Sequence, residues 1–216
     1  MRTPVLYGAA SSVYVRAARL ALAEKGVAYN LVDVDVFAPG GPPVEHMARH
    51  PFGKVPAFEH DGFQLYEAGA ISRYVDEAFD GPPLQPVDPR DRARMTQIIS
   101  ILDSYAYRTL VWDIFVERVD APQAGRATKE ARIARALPQA NVCLTALEES
   151  TGTGPWLTGS QLTLADLHAA PMIALFLRTP EGRVMLEHHA ALRAWWAAIG
   201  ARPSIPATST RGAAER

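Results

Sequence analysis

Cysteine is nearly missing from this chain of 216 residues: Cys143 stands alone. A single thiol excludes an intramolecular disulfide framework and any Cys-x-x-Cys redox centre. Cys143 falls in a helical pattern from Leu137 to Leu147 and reads as a small core residue rather than a nucleophile. Charge of one sign is also lacking. The 22 Lys and Arg against 23 Asp and Glu leave a net charge of -1, which gives no electrostatic reason to expect a nucleic acid or an anionic membrane as partner. No uninterrupted apolar run is long enough to span a bilayer, and Met1-Arg2-Thr3-Pro4 lacks the apolar core of a signal peptide, so a cytoplasmic location is expected. No internal repeat is present and no metal is expected. What remains is an ordinary soluble composition, 48% hydrophobic and 21% charged, in a length suited to one large domain or two small ones.

The opening reads as strand, helix, strand. Val5-Leu6-Tyr7 is a buried strand before Gly8, Val13 to Lys25 is a helix with Gly26 in the position of a left-handed cap, and Tyr29 to Val36 alternates as a strand does. Pro39, Gly40, Gly41, Pro42 and Pro43 form a loop leading to a short helix over 44–49. Two short strands near 55–59 and 63–66, turning at Asp61-Gly62, precede a helix from Glu67 to Ala78. Gly81-Pro82-Pro83, Pro86 and Pro89 then mark a stiff linker, and strand signals cease. Asp88 is the expected N-cap of a long helix to about Val119, with Met95, Ile98, Leu102, Tyr105, Thr109, Trp112 and Val116 as its buried seam. A second helix is expected from Arg126 to Ser150, a third behind the capping box Thr163-Leu164-Ala165-Asp166, bent at Pro171, and a last one from Ala190 to Ala201. The cap accounts for Asp166, so Asp166 and His168 are read as structural rather than as a catalytic pair. The expected organisation is an α/β domain over 1–79, a linker over 80–88, an all-helical domain over 89–205 and a frayed tail over 206–216.

The most informative stretch is His50 to Ile71. Pro56 removes a backbone donor where a strand begins, leaving the backbone groups of Val55 able to pair with something other than sheet, such as an extended peptide. The helix N-terminus at Glu67 and Ala68 offers positive partial charge to a carboxylate, while the Glu67 side chain offers negative charge to an amine. A ligand carrying an α-amine and an α-carboxylate suits both.

On Phe52-Gly53-Lys54-Val55-Pro56-Ala57-Phe58-Glu59 and Tyr66-Glu67 the chain resembles the glutathione transferase family, nearest to its phi class and bacterial relatives. The resemblance covers nearly the whole chain and implies a thioredoxin-like N-terminal domain followed by an all-α one. It further implies a cis bond before Pro56, a Val55 backbone that pairs with the cysteinyl part of glutathione, and a Glu67 that holds the γ-glutamyl end. Trp156-Leu157-Thr158-Gly159 and Thr163 to Leu167 match a motif that serves folding in that family. Aligned through Ala21-Leu22 and Glu24-Lys25, Ser12 falls on the catalytic serine of phi-class enzymes and Arg16 on an arginine of the same helix; Ser11-Ser12 also resembles the double serine of the zeta class, although the cysteine that follows there is Val13 here. By itself, a serine ahead of a helix is equally an N-cap.

Two departures matter. Ala68 stands where the family usually has serine or threonine for the γ-glutamyl carboxylate, and Gly40 to Pro43 replace basic residues that bind the glycyl carboxylate, leaving Lys54 as the substitute. Weak glutathione affinity is expected. The electrophile pocket implied by the resemblance is expected between the Ser12 loop and the helix from Asp88, with Val13, Tyr105, Tyr107, Arg108, Trp112 and Phe115 as candidates. Arg108 is costly to bury and is expected at solvent or on an anionic substrate group. The function expected is transfer of the glutathione thiolate to a small hydrophobic electrophile by a homodimer, with Phe52 as the candidate interface anchor. The alternatives are a glutathione-dependent isomerase or peroxidase, and a non-catalytic ligand-binding or scaffold protein of the same fold.

Overall fold

A computed structural model describes residues 2–152 and 154–209. The chain forms two compact units, which divide between Leu84 and Gln85, and residues 202–209 return to the first.

In the first unit β1 (Val5–Tyr7) leads through a tight turn to α1 (Val13–Glu24) and then to β2 (Asn30–Val32). After α2 (Val44–Arg49), β3 (Ala57–His60) and β4 (Phe63–Tyr66) form a hairpin before α3 (Ala68–Ala78). The four-stranded sheet has the order β2-β1-β3-β4, β1 parallel to β2 and antiparallel to β3. Leu6, Phe58, Leu20, Leu22, Ile71 and Val75 are almost wholly buried and make the core between sheet and helices. This is a thioredoxin-like arrangement. β2 is shorter than the alternation over 29–36 implies: past Val32 the Asp35 carboxylate accepts from the Phe37 amide at 2.8 Å, which turns the chain out of the sheet.

The expected domain limits need correction at both ends. Lys25 Nζ is bound to the Asp76 carboxylate at 3.1 Å and to the carbonyls of Gly81 and Pro82 at 3.4 and 3.3 Å, and Asp76 also accepts from the Leu84 amide at 2.8 Å. The stretch 80–84 is thereby part of the first unit rather than a separate linker. Residues 202–209 are neither part of the helical unit nor frayed. Arg202 and Ser204 bind Glu24, Arg16 binds the Ile205 carbonyl at 3.1 Å, and Arg19 binds the Thr208 carbonyl at 3.0 Å. One face of α1 is covered by this returning segment. The rest of the expected tail, 210–216, lies outside the described residues.

The second unit is all helical. Asp88 caps α4 (Pro89–Ile101), its carboxylate accepting from the Arg90 and Asp91 amides at 2.8 and 3.3 Å. The helix runs on through Leu102–Asp120, whose turns are wider and close with hydrogen bonds five residues apart, as from Ala121 to Val116. Wider turns move the buried face: Leu102, Ala106, Leu110 and Ile114 line the core at intervals of four, and Tyr105, placed by ordinary helical spacing in the buried seam, is 57% exposed. A short helical turn, Ala121–Gln123, follows, and the longer helices after it are Glu130–Ser150, Leu164–Phe176, Pro180–Glu187 and Ala190–Gly200. Thr163 and Asp166 form the expected capping box. Asp166 is wholly buried and accepts from the amides of Leu157 and Thr163 and from the indole of Trp195, at 2.8, 2.7 and 2.9 Å. His168 turns away from it to Asp103, at 2.8 Å. Among the described residues no helix is long and apolar enough to cross a membrane.

Candidate functional site

Register brings the site together. Tyr7 pairs with Ala57 and Ala57 with Tyr66, so the residues that follow β1, precede β3 and follow β4 all leave one end of the sheet. These are the turn to Ser12, the Lys54-Val55-Pro56 segment and Glu67. Gly8 brings the first two into contact. At φ +147° it occupies backbone space that L residues rarely adopt, and a Cβ there would stand 2.9 Å from the Val55 Cβ and 2.5 Å from Val15 Cγ2.

The bond between Val55 and Pro56 is cis, the rarer form even before proline. The sheet ladder begins only at Ala57, and neither the N–H nor the C=O of Val55 has a partner among the described residues. Val55 is half-buried and Pro56 buried. This is one free peptide edge beside a sheet, the geometry in which an extended peptide pairs.

Glu67 caps α3 with φ 71° and ψ 121°, a conformation costly to any residue with a Cβ. Its carboxylate is exposed and makes no hydrogen bond within the cap. Ala68, the first helical residue, is buried, so its contribution at the site is its amide, together with those of the first turn that have no intrahelical acceptor.

Ser12 is the N-cap of α1, its Oγ accepting from the Val15 amide at 3.4 Å. No acceptor for the Ser12 hydroxyl proton exists among the described residues. Capping and donation to a ligand, alternatives when read from sequence, are compatible on one oxygen. Ser11 is exposed in the turn, and Val13 is 5% exposed as the first core residue of α1.

Two histidines missed by the sequence reading support the Lys54 segment. His46 and His50, one turn apart and each 1% exposed, lie behind it. His46 Nε2 stands 2.7 Å from the Lys54 carbonyl; a carbonyl only accepts, so Nε2 carries the proton. The His50 ring lies 4.8 Å from that of Tyr66, and burial holds it below its ordinary pKa against the pull of Glu67. The available signal was the spacing of His46 and His50 on the short helix, which places both on one face. Lys54 itself is exposed.

Of the residues expected to meet an electrophile, Tyr105, Tyr107, Arg108, Trp112 and Phe115 all lie on Leu102–Asp120 of the second unit. Tyr105 is exposed, Trp112 is half-buried with the Tyr107 ring edge-on at 6.5 Å, and Phe115 is buried under the Arg178 guanidinium. Arg108 is 67% exposed and paired with Asp113 at 3.1 Å. Cys143 is buried, which raises its thiol pKa and suits the core role expected of it.

Comparison with known proteins agrees with this geometry. The model of the glutathione S-transferase N-terminal domain matches residues 6–83, and that of the C-terminal domain matches 98–203. Glutathione S-transferase 4 of Zea mays is 32% identical over 206 residues, covering 94% of this chain and 92% of its own. Glutathione S-transferase F13 of Arabidopsis thaliana is 28% identical over 202 residues, covering 93% and 92%. Among solved structures, glutathione S-transferase I from maize in complex with an atrazine glutathione conjugate superposes with a TM-score of 0.84 at 26% identity, covering 96% of each chain. The chain belongs to the glutathione S-transferase family.

Proposed function

We propose that this chain binds glutathione on its first unit and transfers the tripeptide's thiolate to a small hydrophobic electrophile. The observation that carries the reading is the unpaired Val55 backbone, at the same sheet end as a serine whose hydroxyl proton is uncommitted. Val55 pairs with the cysteinyl residue of glutathione, Glu67 meets the γ-glutamyl amine, the first α3 amides meet its carboxylate, and Lys54 meets the glycyl end. The thiol gives its proton to solvent, and Ser12 donates a hydrogen bond to the sulfur that remains. Ser11, exposed beside it, is the alternative donor.

A free cysteinyl thiol titrates near 8.5, so holding it as thiolate at neutral pH needs a shift of about two units, roughly 3 kcal/mol. A hydroxyl bond to an anion contributes about 1.5 to 3 kcal/mol. The N-terminus of α1 adds about 0.3 to 1 kcal/mol. Together these suffice without a protein base. The thiolate then attacks the electrophile, and the electron pair of the breaking bond leaves with the displaced group. Tyr105 and Trp112 are proposed for electrophile contact, and Val13 for a packing role beneath the Ser12 turn. The proposal includes a cytoplasmic homodimer in which Phe52, 69% exposed, is the interface anchor.

Assays with an aryl halide, an organic hydroperoxide and a cis-enol diacid test the reading. Conjugation of the aryl halide that falls at least tenfold in Ser12→Ala and much less in Ser11→Ala supports it. Turnover of the hydroperoxide or the diacid alone identifies the peroxidase or isomerase instead, and no turnover of any of them identifies a binding protein.

A further inference from the structure

In the second unit Leu102–Asp120 packs along Glu130–Ser150, and between them lies a cleft of about 290 Å³ lined by Arg108, Asp113, Arg132, Arg135 and Gln139. Three guanidinium groups and one carboxylate line it, and two of the three bind that carboxylate. Asp113 is shared, by Arg132 at 2.7 Å and by Arg108 at 3.1 Å, and the other arm of Arg132 is held by the buried Glu117 at 2.7 Å. Arg132 is therefore committed. Arg108 engages Asp113 only through Nε and keeps both terminal nitrogens open, its side chain 67% exposed. Arg135 has no hydrogen-bond or ion-pair partner among the described residues. Counting Glu117 with Asp113, the cleft keeps one positive charge in excess, and Arg132 and Arg135, three residues apart on one helix, repel each other.

Such an arrangement is unfavourable as a surface and favourable as a receptor. The guanidinium fork matches an oxyanion with two parallel N–H donors, and two open forks that line one cleft from different helices can engage the same guest. We propose that this cleft binds a small oxyanion, a carboxylate or a phosphate, held by Arg108 and Arg135 with the Gln139 amide as a further donor. Arg132, tied to Asp113 and Glu117, is the positioning residue that sets the spacing. The volume admits more than one ion with its water, at about 30 Å³ per water, so a dicarboxylate fits as well as inorganic phosphate. The site involves no glutathione and stands whatever the fate of the proposed transferase reaction.

Calorimetric titration of the full chain without glutathione, at low ionic strength to limit screening, tests this with inorganic phosphate and with succinate as separate probes. Saturable binding of at least one probe, weakened at least tenfold by Arg135→Gln and by Arg108→Gln but unchanged by Arg193→Gln elsewhere on the surface, is the expected result. Which probe binds identifies the anion class. Absence of saturable heat with both, or equal binding in all four proteins, overturns the proposal. Thermal melting of each variant accompanies the titration, and loss in both cleft variants with melting unchanged excludes unfolding as the cause.

Discussion

At position 12 one hydroxyl oxygen accepts from the Val15 amide and keeps its own proton for another acceptor. The same economy marks position 67, where a carboxylate with no cap bond sits on a backbone at positive φ that costs about 1 to 3 kcal/mol to hold. Strain of that kind persists where a side chain must point at a ligand. Glu67→Gln keeps the shape and removes the charge proposed to meet the amine. A charged hydrogen bond is worth about 1.5 to 3 kcal/mol, so titration should show glutathione binding weakened tenfold or more with the melting temperature unchanged. Gly8→Ala tests the contact between the two loops. The added methyl meets Val15 and Val55 at 2.5 and 2.9 Å, overpacking that costs about 1 to 3 kcal/mol. Denaturant midpoints should fall and KM for glutathione should rise, because Val55 is one of the two side chains the added methyl displaces.

Among the elements, the helix Leu164–Phe176 is the most firmly built. Asp166→Ala leaves two buried amides and the Trp195 indole without an acceptor. A buried donor left without its acceptor costs about 1 to 3 kcal/mol, read as a lower denaturant midpoint, with the thiol pKa of any protein still folded left in place. This element was legible from Thr163 and Asp166 because a capping box is local chemistry, and the Asp88 cap was legible for the same reason. The unpaired strand entry at Pro56 was legible because proline removes a backbone donor there, whereas its cis bond was expected only from the family resemblance. What escaped depends on neighbours. The exposure of Tyr105 follows from wide turns that nothing local announces, and the role of His46 depends on the Lys54 carbonyl folding back to its ring. The helix Pro180–Glu187 has no counterpart in the sequence reading, although Thr179 caps it by accepting from the Gly182 amide at 2.9 Å and Pro180 opens it.

On the scale of the whole molecule, chemistry and packing are divided between two units of different class. The first holds every group proposed to meet glutathione, and its limits were the least legible part of the chain. The order of elements announced a thioredoxin-like unit, but not that residues 202–209 return to it, because that contact joins Arg16, Arg19 and Glu24 to side chains and carbonyls nearly two hundred positions away. The proposed activity depends on one charge state, the thiolate of a bound tripeptide. Its most direct measurement is an ultraviolet titration of the glutathione thiol bound to the intact protein, compared between the wild type and Ser12→Ala. We predict a bound thiol pKa about two units below the free value of about 8.5 in the wild type, and one at least a unit higher in Ser12→Ala. An equal pKa in the two proteins, or a bound thiol that titrates like the free one, would contradict it.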